Sequence, residues 1–84
     1  MNSSDNHSRP VAVITGGSAG LGLALTTELS HDGWTVVTDA RSGARLARAT
    51  LGLHDVVAVA GDVRDPVHRA ALAAEVDRLA RLDQ

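Results

Sequence analysis

The chain has 84 residues, of which 44% are apolar and 21% charged, and its formal net charge is −2. This length allows one small domain, and the slightly acidic balance provides no basic surface for nucleic acid or an anionic membrane. The absence of cysteine excludes disulfides and thiolate metal sites.

The chain begins with a polar stretch that lacks the apolar core of a secretory signal. We therefore expect residues 1–9 to form a disordered tail on a cytoplasmic protein, and residues 10–84 to form the folded part. The first predicted element is a strand over Val11–Thr15 (VAVIT), a β-branched run typical of a strand buried on both faces of a parallel sheet. A glycine-rich loop follows it.

The segment after the loop predicts a helix in which Leu21, Leu25 and Leu29 share one apolar face, with Gly33 as its end. The next run, Trp34–Thr38 (WTVVT), predicts a second buried strand. We expect Trp34 to belong to the core.

A short second helix is predicted with Ser42 as its cap and with Leu46 and Leu51 as its apolar positions. The run VVAVA, residues 56–60, predicts a third strand. In the last helix Asp65 is the expected cap and Pro66 the first helical residue, where the missing amide hydrogen costs nothing.

The order of these elements is β-α-β-α-β-α with short connections. Such alternation is typical of parallel strands joined by right-handed crossovers. We therefore predict an α/β fold: part of a three-layer, doubly wound, Rossmann-like parallel sheet.

The loop after the first strand is the strongest functional signal. A glycine-rich turn that opens a helix leaves unpaired backbone amides at the positive end of the helix dipole, which favours a phosphate group. The lysine of a P-loop is missing, and a G-x-G-x-x-G pattern that starts at Gly20 would need glycine where Leu25 stands. The pattern that fits is T-G-x-x-x-G-x-G, formed by Thr15, Gly16, Gly20 and Gly22.

This pattern resembles the cofactor loop of the short-chain dehydrogenase/reductase family. The family also carries an aspartate after its third strand, commonly followed by valine, which contacts the adenine of the cofactor; Asp62 and Val63 match it. The resemblance covers residues 11–82, which is nearly the whole chain, and implies a dinucleotide site. Its expected residues are Thr15, Gly16, Ser18, Ala19, Gly20, Leu21, Gly22, Arg41, Asp62 and Val63.

The end of the second strand bears on the choice of dinucleotide. An acidic residue there would bind the ribose hydroxyls of NAD, whereas a basic one would neutralise the 2′-phosphate of NADP. The position that is usually acidic in the family falls on Ala40, with Asp39 one residue early and Arg41 one residue late. We therefore expect NADP in preference to NAD, although a shift of one residue would return Asp39 to the acidic role.

The family transfers hydride to or from a carbonyl or alcohol with a tyrosine and a lysine in Y-x-x-x-K, and this chain contains neither residue type. We expect no catalytic residue and no metal site here: the four histidines have no metal-ligand spacing and are interpreted as solvated or helix-end residues. The chain is therefore expected to be the cofactor half of such an oxidoreductase, inactive alone. A stand-alone nucleotide-binding or regulatory module, or an interaction protein, are the alternatives.

In the implied fold the first strand would lie between the second and a fourth strand. Without a fourth strand it becomes an exposed edge, which favours pairing with another chain. We expect self-association, or rescue by a complementing chain, through Val11–Thr15.

Overall fold

The computed structural model describes residues 9–82, so the predicted tail lies almost wholly outside the described residues. Strands and helices alternate as predicted. The elements are β1 (Val11–Ile14), α1 (Gly20–His31), β2 (Thr35–Ala40), α2 (Gly43–Ala49), β3 (Val56–Ala60) and α3 (Pro66–Leu82).

The three strands form one parallel sheet in the order β1-β2-β3, so β2 is central. Val37 of β2 is in register with Val13 on one side and Val57 on the other. Helix α1 contacts β1 and β2, α2 contacts β2 and β3, and α3 contacts all three strands. The prediction of a partial, Rossmann-like α/β sheet is confirmed.

Burial is concentrated in the central strand. Val36 and Val37 have no exposed surface, and the strand is buried from Thr35 to Asp39. The expectation that all three strands are buried on both faces is wrong for the outer two, since Val13 of β1 is 49% exposed and Ala58 and Ala60 of β3 are also exposed. Among the described residues each outer strand has a neighbour on one side only.

The predicted apolar face of α1 is also wrong. Leu21 is 75% and Leu25 45% exposed, whereas Thr26 and Ser30 are buried. Their hydroxyl groups donate hydrogen bonds to backbone carbonyls, Thr26 to Gly22 at 2.8 Å and Ser30 to His54 at 2.7 Å. Because these small polar groups are satisfied, they can be buried without a large penalty, and α1 can lie close to the sheet.

The caps of the two other helices lie where the sequence predicts them. The side chain of Ser42 accepts a hydrogen bond from the amide of Arg45 at the start of α2. Asp65 accepts one from the amide of Val67, and α3 begins at Pro66. Of the two leucines predicted for α2, Leu46 is buried but Leu51 is 83% exposed, because the helix ends at Ala49.

The two ends of the sheet differ in character. At the amino ends of the strands, Arg9 forms an ion pair with Asp55, which adopts a positive φ of 59° immediately before β3. Trp34 precedes β2 at this same end and is partly exposed. The loops that follow the strands lie at the opposite, carboxyl end. No helix within residues 9–82 has the length and apolar character needed to cross a membrane.

Candidate dinucleotide site

A cleft of about 610 Å³ lies at the carboxyl ends of the three strands and is lined by residues of the three loops that follow them. This is the edge at which open α/β sheets bind their ligands. Six of the ten predicted site residues line it: Thr15, Gly16, Ser18, Arg41, Asp62 and Val63. Ala19 lines an adjacent depression, and residues 20–22 form the first turn of α1.

The start of α1 leaves backbone amides unused by the helix. The residue before it, Ala19, has no side-chain capping group, and the amide of Leu23 donates to the Ala19 carbonyl oxygen at 3.3 Å. The amides of residues 20–22 precede that bond, and they lie at the positive end of the helix dipole. An anion placed here would find several donors together.

Two glycines of the loop serve different purposes. A β-carbon on Gly22 would clash with the carbonyl group of Gly16, so glycine is required there for contact between backbone segments. Gly20 has a φ of 58°, and a β-carbon on it would meet nothing within 4 Å. Gly20 therefore faces open space, which a side chain would partly fill.

Three arginines, Arg41, Arg45 and Arg64, line the cleft. Arg41 follows β2 directly, and Arg45 lies in the first turn of α2, so the two extend from the same wall. A planar guanidinium group is suited to bidentate binding of phosphate. Of these three arginines, the sequence analysis predicted only Arg41 as a site residue. Arg45 and Arg64 become candidates only because the structure places them at the cleft.

Asp62 is held by a neighbour within its own loop. Its carboxylate accepts hydrogen bonds from the guanidinium group of Arg64, the shortest at 2.7 Å, and from the Arg64 amide at 2.9 Å. These bonds hold the pKa of Asp62 well below its usual range and raise the pKa of Arg64. The Asp62 carboxylate therefore stays ionised at any pH near neutrality, as a hydrogen-bond acceptor on the cleft wall.

Asp39 lines the cleft, but its carboxylate is buried and bonded to protein groups. Its side chain accepts from the amide of Gly16 at 2.9 Å, lies 2.6 Å from Nε2 of His68, and is 2% exposed. The interpretation of His68 as a solvated or helix-end residue is correct in part: it does lie at a helix end, in the first turn of α3, but it is not solvated, since it is only 6% exposed. No spacing in the sequence indicates this pair, because its members lie on different elements.

Comparisons with known proteins agree with this architecture. The family model described as short chain dehydrogenase matches residues 10–84. The chain is 45% identical over 60 residues to the uncharacterized oxidoreductase DltE of Bacillus subtilis (strain 168), covering 71% of this chain and 24% of that protein. It spans between 24% and 29% of the length of the curated relatives that it matches.

Solved structures are also similar, and two of them illustrate the match. L-Sorbose reductase from Gluconobacter frateurii, complexed with NADPH and L-sorbose, has 38% identity and a TM-score of 0.74, over 82% of this chain and 28% of that one. A short chain dehydrogenase/reductase from Burkholderia phymatum in complex with NAD has 28% identity and a TM-score of 0.75, over 88% of this chain and 28% of that one. Together with the match over residues 10–84, these similarities establish that the chain belongs to the short-chain dehydrogenase family.

Proposed function

We propose that this chain is the dinucleotide-binding part of a short-chain dehydrogenase-type oxidoreductase, that it takes NADP in preference to NAD, and that it does not transfer hydride by itself. The observation that carries the proposal is the cleft at the carboxyl ends of the strands, which is lined by the loop leading into the uncapped start of α1 and by three arginines. The amide donors suit a diphosphate, and the arginines suit a further phosphate group.

The proposed roles of the individual residues are supported by their places in or beside the cleft and by the family resemblance. Thr15, Gly16 and the segment from Ser18 to Gly22 would surround the diphosphate. Arg41 would bind the 2′-phosphate, and Asp62 with Val63 would contact the adenine, as the family resemblance implies. Asp39 lines the cleft, but its two carboxylate oxygens are bonded to the Gly16 amide and to His68. This supports NADP, because a ribose-binding acid needs carboxylate oxygens that are open to the ligand.

The composition of the chain is the reason to expect no hydride transfer by this chain alone. The sequence has no tyrosine and no lysine, so the acid–base pair on which the family depends has no counterpart in residues 1–84. When bound, the dinucleotide would supply hydride chemistry. The residues of this chain would bind and orient it, in a cytoplasmic protein.

Calorimetric titration of the chain with NADPH and with NADH tests the proposal. We expect saturable binding of both, with NADPH bound more tightly, and no oxidation of NADPH when carbonyl compounds are added. Calorimetry is preferable to Trp34 fluorescence, since Trp34 precedes β2 and lies at the amino end of the sheet. Binding of ATP but of neither dinucleotide would support a different nucleotide-binding module, and no binding at all would support an interaction protein.

The proposal includes association through β1. Thr35 donates its amide hydrogen to the carbonyl oxygen of Pro10, so the backbone groups of Pro10 point toward β2. Along a strand, the backbone groups of successive residues point alternately to one side and to the other. The backbone groups of Val11 and Val13 therefore face away from β2. Among residues 9–82 no strand pairs with that side of β1, and Val13 is 49% exposed. Such an edge favours a second copy of the chain or a complementing one.

Sedimentation velocity over a range of concentrations tests the association. We expect the average mass to rise with concentration for the unaltered chain and to fall toward the monomer for Val13→Lys, because a charged side chain on an edge strand opposes pairing. A chain that stays monomeric at every concentration would contradict this part of the proposal.

A further inference from the structure

Asp39 and His68 form a buried polar pair beneath the glycine loop. The Asp39 carboxylate has two partners: Oδ1 accepts the amide hydrogen of Gly16 at 2.9 Å, and Oδ2 lies 2.6 Å from Nε2 of His68. The side chains are 3% and 5% exposed. A buried carboxylate is costly unless it is hydrogen bonded, so both bonds matter to its position.

Asp39 also holds the next residue of the loop. Its backbone carbonyl oxygen accepts the amide hydrogen of Gly17 at 2.8 Å. One residue at the end of β2 therefore bonds the first two glycine amides after β1, one through its side chain and one through its backbone. These bonds fix the direction in which the chain leaves β1 and approaches the start of α1.

His68 connects the same unit to the third loop. Its imidazole ring occupies the space that a β-carbon on Gly61 would need, and Gly61 directly precedes Asp62. The amide of Gly61 in turn donates to the carbonyl oxygen of Ala40 at 3.0 Å. The pair thus joins the loop after β1, the end of β2 and the loop after β3, which together line the cleft.

We infer that Asp39 and His68 are positioning residues for the dinucleotide site: Asp39 orients the glycine loop through the amides of Gly16 and Gly17, and His68 keeps the Asp39 carboxylate in place. The inference rests on the proposed function of the cleft. In this role Asp39 holds the glycine loop in position and does not bind the ribose. His68 does not line the cleft, so its influence on affinity passes through Asp39 and through its contact with Gly61.

Matched substitutions at His68 separate hydrogen bonding from packing. His68→Gln retains a donor near the position of Nε2, whereas His68→Leu fills similar space without one. We expect His68→Leu to weaken NADPH and NADH alike, by about tenfold, and His68→Gln to restore most of the affinity. Equal affinities for the two variants would overturn the inference, since the hydrogen bond would then have no effect on the site.

Substitution of Asp39 tests the ribose alternative. Asp39→Asn retains an oxygen that can accept the Gly16 amide, and its amide group can meet His68 in the other ring tautomer. A positioning role predicts small and similar changes in the affinities for NADPH and NADH. A selective loss of NADH affinity together with a gain for NADPH would identify Asp39 as a ribose ligand and overturn the inference.

Hydrogen exchange in the ligand-free chain gives a readout that does not depend on the dinucleotide. In His68→Leu we expect the amides of Gly16 and Gly17 to exchange about tenfold faster, while the amide of Thr35, at the other end of β2, keeps its rate. Unchanged exchange at Gly16 would overturn the inference, and so would equal acceleration at all three amides, which would indicate global destabilisation. If the unaltered chain binds neither dinucleotide while Gly16 responds as expected, the proposed function fails and the anchoring of the loop stands.

Discussion

A β-carbon on Gly22 would clash with the carbonyl oxygen of Gly16, so the first turn of α1 is in direct backbone contact with the loop before it. Replacing a helical glycine with alanine ordinarily stabilises a helix by up to about 1 kcal/mol. We expect Gly22→Ala instead to lower the free energy of unfolding by about 1–3 kcal/mol, because the backbone atoms must separate. Urea denaturation of the unaltered chain and of Gly22→Ala measures this difference in the free energy of unfolding.

The control for this substitution is Gly43→Ala in the first turn of α2. A β-carbon there would lie 3.3 Å from the β-carbon of Ala60, a tight contact with a single methyl group and not with backbone. We expect a change in stability close to zero. If Gly43→Ala lowered the free energy of unfolding as much as Gly22→Ala, the backbone contact between Gly22 and Gly16 would not explain the effect.

The open space at Gly20 predicts a loss of binding on substitution. Gly20→Val should remove detectable dinucleotide binding, because the side chain would extend into the region assigned to the diphosphate. Gly52→Val is the matched control: Gly52 also has a positive φ, 85°, and open space around its β-carbon position. Both variants carry similar backbone strain, so their melting temperatures should fall by similar amounts. Calorimetric titration should show that only Gly20→Val loses dinucleotide binding. Loss of binding in both would attribute the effect to strain.

Arg41→Ala should weaken NADPH by about tenfold and NADH much less, since only NADPH carries the 2′-phosphate. The difference should shrink as salt is raised, because Arg41 is exposed and its charge is screened. Arg81→Ala removes the same charge from α3, away from the cleft and from the depression beside it, and is the control. Equal losses for the two dinucleotides would remove the preference for NADP.

Arg64→Ala should raise the pKa of Asp62 toward the ordinary value of 3.8, because its hydrogen-bond partner is removed. Since the folded-state pKa of Asp62 is lowered, the stabilisation from this pair is present above that ordinary value and is lost as the pH falls below it. The carboxyl carbon resonance of Asp62, followed by NMR during acid titration, measures the pKa. Arg69→Ala is the control, as Arg69 donates to the Val63 carbonyl oxygen instead. An unchanged titration in Arg64→Ala would contradict the assigned cause.

The two leucines predicted for the second helix should respond differently to truncation. Leu46 is 1% exposed and Leu51 is 83% exposed. We expect Leu46→Ala to cost about 2–5 kcal/mol, which is a large part of the stability of a domain of this size. Leu51→Ala should change stability by less than about 0.5 kcal/mol. Thermal unfolding of both variants checks the difference, and similar costs would mean that Leu51 is also packed.

The order of elements and the place of the site could be predicted because they depend on local signals. β-branched runs mark the strands, and Ser42 and Asp65 cap helices through neighbouring amides. The second strand extends past the predicted end at Thr38, since Asp39 and Ala40 pair with Val59 and Ala60 of β3. That extension depends on a partner strand, which periodicity does not reveal.

Other features could not be predicted, because they depend on which groups meet in three dimensions. The buried face of α1 carries Thr26 and Ser30, whose hydroxyls are satisfied by backbone oxygens, and not the leucines that hydropathy favours. The pairing of Asp39 with His68 likewise joins a strand end to a helix start. Polar residues that satisfy each other inside a fold look like surface residues in the sequence.

The ion pair between Arg9 and Asp55 has a practical consequence for measurements on this protein. It ties the beginning of the described chain to the amino end of β3, across the length of the sheet from the cleft. A surface linker that enters the folded part at Arg9 would therefore start at the opposite end of the sheet from the cleft. An immobilised sample attached in this way can be exposed to nucleotides in flow without blocking the residues under test.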